Sequence, residues 1–76
     1  MIDYDKDAIS IDVGGRLREL RQGIGLSMRA LARMSGLSAN ALSMIERGKT
    51  SPSVSTLYKL ATAMGIPITA FFPPML

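Results

Sequence analysis

The chain has 76 residues, a formal net charge of +3, and neither cysteine nor histidine. A chain of this length makes one small domain, and without these two residue types it lacks disulfides, thiol nucleophiles, imidazole chemistry and most zinc sites. No apolar run reaches the roughly 18 residues needed to span a bilayer. The N-terminus, MIDYDKDAIS, is acidic where a signal peptide would be basic and then apolar. We therefore expect a cytoplasmic protein with no membrane partner, no metal and no cofactor.

The charges are distributed unevenly along the chain. Four of the six acidic residues lie within the first twelve positions: Asp3, Asp5, Asp7 and Asp12. From Val13 onward, eight Lys and Arg residues stand against Glu19 and Glu46, a balance of +6. A basic body of this kind suggests a polyanionic partner such as nucleic acid. An ordinary solvated surface would have the same composition.

The first predicted elements are an arm and a helix. Residues 1–11 lack hydrophobic periodicity, and we expect them to form a flexible acidic arm. The first helix is predicted from Asp12, a good N-cap residue, to about Gln22. Its apolar residues recur at helical spacing: Val13, Leu17, Leu20 and Ile24. Gly14 and Gly15 each weaken its first turn by roughly 1 kcal/mol relative to alanine.

Three further helices are predicted, each preceded by a serine N-cap and closed by a glycine. Their caps are Ser27, Ser38 and Ser53, and their closing glycines are Gly36, Gly48 and Gly65. The inward positions of these helices are Leu31, Ala32, Leu42, Ile45, Val54, Leu57, Leu60, Ala61 and Met64. Pro67 is predicted to begin a short fifth helix that turns Ile68 and Phe71 inward.

The sequence therefore predicts an all-α fold, a compact five-helix bundle over residues 12–72. Residues 73–76 are expected to form an apolar C-terminal tail. This tail either packs on a partner subunit or begins a linker to a missing domain.

The second and third predicted helices are joined by the tight turn Gly36-Leu37-Ser38. A turn of three to four residues containing glycine sets two helices at roughly 90 to 120° to each other. Ala32 is small enough to allow a close approach, and Leu37 fills the angle between the helices. This is a helix-turn-helix, in which the second helix offers its N-terminal end and outer face to the major groove of DNA.

The chain resembles the lambda-repressor-like domains of the xenobiotic-response-element (XRE) regulator family, which includes phage repressors and Cro proteins. The resemblance covers about Val13 to Phe72 and is most specific at LA (31–32), SGLS (35–38) and ALSMIERGKTSPS (41–53), followed by TLYKLATAMGI. It implies a five-helix bundle that binds double-stranded DNA as a homodimer on paired half-sites. Relatives often continue into a β-barrel domain that senses a small molecule, so a C-terminal sensor domain or small-molecule effector is expected outside these residues.

The resemblance and the side-chain chemistry together place the helix over residues 38–47 in the major groove. The expected base-reading residues are Ser38, Ala39, Asn40, Ser43 and Met44. Asn40 is the best base reader, because an amide bonds bidentately to N6 and N7 of adenine. The two serines discriminate little, while Ala39 and Met44 offer apolar contact to a thymine methyl. The alternative for Asn40 is an ordinary surface residue in the first turn of a helix.

Phosphate contacts are expected on either side of this helix. The residues concerned are Ser27, Arg29, Arg47, Lys49 and Ser53. The free amides that follow Ser27 and Ser53 suit a phosphate oxygen, and the cations add charge, although each cation could equally be a plain solvated residue. Relatives often carry glutamine where this chain has Met28, which weakens the expectation of the backbone contact made by that glutamine.

Glu46 needs a separate account, because a carboxylate near DNA would be repelled unless neutralised. The resemblance pairs this glutamate with the arginine late in the first helix, which is Arg21. We predict a structural, partly buried ion pair that fixes the third helix against the first, and loss of one partner of such a pair costs several kcal/mol. The alternative is an exposed pair worth under about 1 kcal/mol.

The sequence thus predicts a sequence-specific DNA-binding transcriptional regulator that acts as a dimer. The alternative is a protein-interaction module, similar to an antitoxin, that keeps the same fold. An enzyme is disfavoured, because no nucleophile–base pair can be assembled without histidine or cysteine and the carboxylates lie mostly in the arm.

Overall fold

The structure is a computed structural model that describes residues 12–72. These residues form four α-helices and one 3-10 helix and contain no strand. The elements, in chain order, are α1 (Val13–Gly23), α2 (Met28–Ser35), α3 (Ala39–Glu46), α4 (Val54–Met64) and the 3-10 helix (Ile68–Phe71). The arm expected at residues 1–11 and the tail at 73–76 lie outside the described residues.

Each α-helix begins directly after the polar residue that the sequence predicts as its N-cap. The Asp12 carboxylate accepts a hydrogen bond of 2.8 Å from the amide of Gly15. The hydroxyls of Ser27, Ser38 and Ser53 accept from the amide three residues further on, at 3.0, 3.0 and 3.1 Å. Each such cap satisfies an amide that the helix itself leaves free and contributes about 1 kcal/mol.

The predicted fifth α-helix is wrong, because Ile68–Phe71 forms a single 3-10 turn. Pro67 is extended and gives no side-chain cap, and Phe72 is already extended at φ −116° and ψ 146°. Phe72 precedes a proline, which pushes the backbone of the preceding residue out of the α region. The four residues between have room only for short-range bonds, such as that from the Phe72 amide to the Thr69 carbonyl at 3.1 Å.

The core lies where the helices converge. α2 packs against α3 and α4, α1 packs against α3, and the 3-10 helix closes against α4 and α1. The buried apolar residues are Leu17, Leu31, Ala32, Leu42, Ile45, Leu57, Leu60, Ala61, Met64 and Phe71. This arrangement leaves the start of α3 at the surface while its later turns are held from behind.

Two residues expected in the core are exposed. Val54 is 74% exposed, because it is the first residue of α4 and the buried stripe of that helix begins one turn later, at Leu57. Ile24 is 49% exposed, because α1 ends at Gly23 and Ile24 already belongs to the loop that follows. In α1 and α4, the helical spacing of apolar residues therefore predicted one buried position too many, at the end of α1 and at the start of α4.

Candidate nucleic-acid interface

The turn between α2 and α3 is made by three residues. Gly36 has φ 81°, a left-handed conformation that glycine adopts without a steric penalty, and its amide donates to the carbonyl of Ala32 at 3.0 Å. The amide of Leu37 donates to the Ser35 hydroxyl at 3.3 Å. Ser38 is extended and caps α3. The amides of Gly36 and Leu37 and the hydroxyl of Ser38 are thus all hydrogen-bonded within this turn.

α3 has a buried side and an exposed side. Leu42 is 0% and Ile45 is 5% exposed, so both side chains brace the helix from within the core. The predicted base-reading residues lie away from the core. Ser38, Ala39 and Asn40 are exposed, and Ser43 and Met44 are half-buried. Asn40 is exposed, so its side-chain amide is open to a ligand.

The cations near the end of α3 are not equivalent. The Arg47 guanidinium folds back along the helix, where its Nε donates to the Ser43 carbonyl at 3.4 Å and its Nη2 lies 3.6 Å from the Met44 sulfur. Lys49 and, on α2, Arg29 are exposed. Arg47 therefore lies against Met44 and the Ser43 carbonyl, whereas Lys49 belongs to the loop that follows.

The two helix starts expected to hold phosphate also differ. The Ser27 hydroxyl accepts from the amide of Ala30 at 3.0 Å. The Ser53 hydroxyl accepts from the Thr56 amide and also donates to the Thr56 hydroxyl, both at 3.1 Å. The hydrogen of Ser53 is thus already engaged. The donors left for an anion at the start of α4 are the amides of its first two residues, Val54 and Ser55.

Arg21 and Glu46 form the ion pair expected from the resemblance, and it is buried rather than exposed. Arg21 Nε donates to Glu46 Oε2 at 2.7 Å and Nη2 donates to Oε1 at 2.9 Å, while Nη1 donates to the Leu26 carbonyl at 2.9 Å. The two side chains are 11% and 4% exposed. The hydrogen bond to Glu46 raises the pKa of Arg21 above its ordinary value, although burial opposes this. The pair neutralises the carboxylate at the end of α3 and joins α3 to α1.

A close backbone contact beside this ion pair was not predicted. Gly14 is buried, and a Cβ atom placed on it would overlap the carbonyl oxygen of Ile45 and lie 3.1 Å from that of Glu46. For a Cβ atom on Gly15, the three nearest atoms all belong to the carboxylate of the N-cap Asp12. The signal in the sequence was the pair of glycines in a helical first turn, which we interpreted only as a local weakness. Gly14 is where α1 meets the last turn of α3.

The described part of the chain is strongly basic. Residues 12–72 contain eight Lys and Arg against Asp12, Glu19 and Glu46, a net charge of +5. Glu46 is bound to Arg21, and Glu19 lies 3.3 Å from Arg16 in an exposed pair. Over the same residues, no helix is long and apolar enough to cross a membrane. Nor does this part of the chain hold three His, Cys, Asp or Glu side chains grouped closely enough to bind a metal ion.

Two short helices, a glycine turn between them, and a second helix with an exposed first turn define a helix-turn-helix domain of the lambda-repressor type. The family model described as Helix-turn-helix (HTH_3) matches residues 17–71. The chain belongs to this family, whose XRE-type members are DNA-binding transcriptional regulators.

Three similar proteins illustrate what the chain resembles. The chain is 49% identical over 59 residues to the HTH-type transcriptional regulator PuuR of Escherichia coli (strain K12), a match that covers 78% of this chain and 32% of that protein. The structure resembles the restriction-modification controller protein C.AhdI from Aeromonas hydrophila, with a TM-score of 0.78 and 42% identity over 82% of this chain and 94% of that one. It also resembles an HTH_3 family transcriptional regulator from Vibrio cholerae, with a TM-score of 0.81 and 35% identity over 90% of this chain and 38% of that one. The chain spans about a third of the length of curated relatives such as PuuR.

Proposed function

We propose that this chain is a sequence-specific, double-stranded DNA-binding domain of a transcriptional regulator, and that it inserts α3 into the major groove as part of a homodimer. The observation that carries the proposal is the division of α3 into two sides. Leu42 and Ile45 are held in the core, while the first turn, from Ser38 to Asn40, projects into solvent. The outward side of α3 is therefore free to contact a ligand outside the domain.

The size and chemistry of α3 suit a major groove. An α-helix with its side chains is about 10–12 Å across, and the major groove is about 12 Å wide. The Asn40 amide reads adenine through N6 and N7, and Ala39 contacts a thymine methyl. Ser38 and Ser43 add hydrogen bonds that discriminate weakly, and Met44 adds an apolar contact beside Arg47.

Phosphate contacts hold this helix in register. The amides that begin α2, after Ser27, and those that begin α4, after Ser53, present partial positive charge to the backbone of DNA. Arg29, Arg47 and Lys49 supply full charges. These contacts give affinity without sequence information, and the short side chains of α3 supply the specificity.

Two copies of the domain are proposed to act together. The base-reading set of one copy is small and weakly polar, so one half-site discriminates little. Dimers of helix-turn-helix domains place their recognition helices about 34 Å apart, one turn of DNA. The greater length of relatives such as PuuR supports a further domain outside these residues, and the family resemblance is the ground for proposing that it binds a small-molecule effector.

Selection from a random pool of duplexes, followed by fluorescence anisotropy, tests the proposal. The chain should enrich a motif made of two related half-sites. With roughly eight phosphate contacts per dimer, the logarithm of the association constant should fall with the logarithm of salt concentration at a slope near −7. An affinity insensitive to salt, or a pool without enrichment, contradicts the proposal.

One observation favours the protein-interaction module as a second candidate. An open groove of about 530 Å³ lies between α2 and α4 and is lined by Met34, Ser35, Tyr58, Lys59, Thr62 and Ala63. Met34 is 56% and Tyr58 is 64% exposed, so the groove offers apolar surface to a protein. A gel shift on random duplex at low salt separates the two functions. A domain that binds only proteins should show no retardation.

A further inference from the structure

The groove between α2 and α4 carries apolar surface that the domain leaves uncovered. Met34 is 56% and Tyr58 is 64% exposed, and both line the groove. Val54, which is 74% exposed, lies four residues before Tyr58 and therefore on the same side of α4. These are three of the five large hydrophobic side chains exposed within residues 12–72. Exposed apolar side chains that lie together in this way mark an interaction surface.

The polar side chains of the groove differ in what they offer a ligand. The Ser35 hydroxyl is already engaged, because it donates to the Ala32 carbonyl at 3.4 Å and accepts from the Leu37 amide at 3.3 Å. Lys59 is exposed and carries the one full charge among the six lining residues, none of which is an acid. A partner that fits the groove therefore brings apolar side chains to its apolar lining and a carboxylate to Lys59.

The charge of the domain argues against a second copy of this chain as that partner. The three acids of residues 12–72 are each engaged, one as the N-cap of α1 and two in ion pairs. The same residues have a net charge of +5. A second copy would thus bring a basic surface to Lys59, and like charges across an interface are unfavourable. The complementary partner is acidic.

The architecture of the groove suits a helical partner. Residues 12–72 contain no strand, so they offer no sheet edge to an extended peptide. A helix can instead pack its ridges of side chains into the grooves of two others, at about 8–10 Å between axes. α4 has 11 residues and is therefore about 16 Å long, enough for about three turns of a partner helix to lie along it.

We propose that the groove between α2 and α4 binds an amphipathic, acidic helix of a second protein, and that it does so while α3 stays free to bind DNA. The site adds a protein partner to the proposed DNA-binding function and does not depend on it. The α4 residues of the groove, from Tyr58 to Ala63, lie about 8–15 Å along the helix axis from Ser53, where a phosphate contact is proposed. α4 thus carries the phosphate contact at its start and the protein contact further along.

The first test uses the full chain, no DNA and a synthetic helical probe. The probe is a peptide of about 18 residues, because shorter helices are marginal in water. Its leucines are spaced i, i+3, i+4 and i+7 and are flanked by glutamates. At peptide concentrations below about 1 mM, the NMR signals of the Met34, Tyr58 and Thr62 amides should shift while that of Asn40 stays in place. Unmoved groove amides, or equal shifts over the whole chain, overturn the proposal.

The second test asks whether binding depends on the side chains of the groove. Tyr58→Ala should weaken binding of the peptide about tenfold, because aromatic anchors carry much of the energy of an interface. Since Tyr58 is exposed, the variant should fold as the wild type does, which thermal unfolding checks. Ile24→Ala removes another exposed hydrophobic side chain, outside the groove, and should leave peptide affinity unchanged. Equal losses in the two variants would remove Tyr58 from the site.

The third test reverses the charge at Lys59. Lys59→Glu should weaken binding of the glutamate peptide up to about fivefold, as expected for an exposed ion pair. A peptide with lysines in place of the glutamates should bind this variant better than it binds the wild type. Arg18→Glu makes the same change of net charge on α1, outside the groove, and should alter neither affinity. If both variants behave alike, the attraction is general and the proposal fails.

Two measurements separate this site from other occupants and from the DNA interface. If the groove amides shift on dilution of the chain alone, the occupant is a second copy and the proposal is wrong. A fluorescent duplex bound by the chain should still accept the peptide, and release of the duplex would contradict simultaneous binding. If the chain binds the peptide but no duplex, the proposed DNA-binding function fails while the protein site stands.

Discussion

Gly14 in the first turn of α1 rests against the carbonyl oxygen of Ile45 in the last turn of α3, with no side chain between the two backbones. Near the other end of α1, Arg21 is joined to Glu46 by two hydrogen bonds. The carboxyl end of α3 is thus held to α1 at two points. The contacts at Gly14 and Arg21 therefore help to set the position of the exposed first turn of α3.

The first prediction concerns the contact at Gly14. Gly14→Ala should lower the free energy of unfolding by about 1–3 kcal/mol, because the added methyl group must push the ends of α1 and α3 apart. The control is Gly15→Ala, whose methyl group has the Asp12 side chain, rather than any backbone, as its nearest neighbour. It should stay within about 1 kcal/mol of the wild type, since alanine also favours the helix. Urea denaturation measures both, and equal effects would contradict the role of Gly14.

The second prediction concerns the buried ion pair. Glu46→Ala should cost about 3–5 kcal/mol, because it leaves the Arg21 guanidinium buried without its partner. Replacing both residues, as in Arg21→Met with Glu46→Leu, should recover much of that loss. The exposed pair of Arg16 and Glu19 is the control, and Glu19→Ala should cost under about 1 kcal/mol. A double-mutant cycle by urea denaturation measures the coupling, and a coupling near zero would refute the assigned role.

The third prediction concerns base reading by Asn40. Asn40→Ala should cost about 1–3 kcal/mol of binding free energy on the selected site and much less on random DNA. Because the side chain is exposed, the free energy of unfolding should change by no more than about 0.5 kcal/mol. Anisotropy titrations on both duplexes measure the difference. Equal losses on the two would remove Asn40 from base reading.

The fourth prediction separates phosphate contacts from general charge. Lys49→Ala should weaken binding to all sequences alike and reduce the magnitude of the salt slope by about 1. Lys59→Ala removes the same charge from α4, on the groove lined by Met34 and Tyr58. It should leave the slope unchanged. If both variants change the slope equally, Lys49 contributes only to net charge.

Local chemistry made much of the fold predictable. Asp12 and three serines cap the helices where the sequence indicates. This was predictable because the side chain of a cap residue bonds to an amide only three residues further along the chain. The turn at Gly36 was predictable for the same reason, since only glycine adopts that conformation cheaply. The Arg21–Glu46 pair was expected from the resemblance alone, because the two residues lie 25 positions apart.

Contacts between distant segments were harder to predict. The contact of Gly14 with Ile45 depends on how α1 crosses α3, and the pair of glycines in the sequence does not specify that crossing. The last helix is a 3-10 turn because the prolines on both sides leave too few residues for an α-helix. The spacing of hydrophobic residues does not reveal this constraint. The Ser53 hydroxyl is engaged by Thr56, whereas the sequence indicated only a free helix start.

The most direct test of α3 in the major groove uses base analogues in the selected site. Replacing adenine by 7-deazaadenine removes the major-groove acceptor N7, and 3-deazaadenine removes the minor-groove acceptor N3. Wild-type protein should lose affinity with 7-deazaadenine at one position of each half-site and be indifferent to 3-deazaadenine there, and Asn40→Ala should be indifferent to both. Loss of affinity with 3-deazaadenine alone would contradict the major-groove assignment.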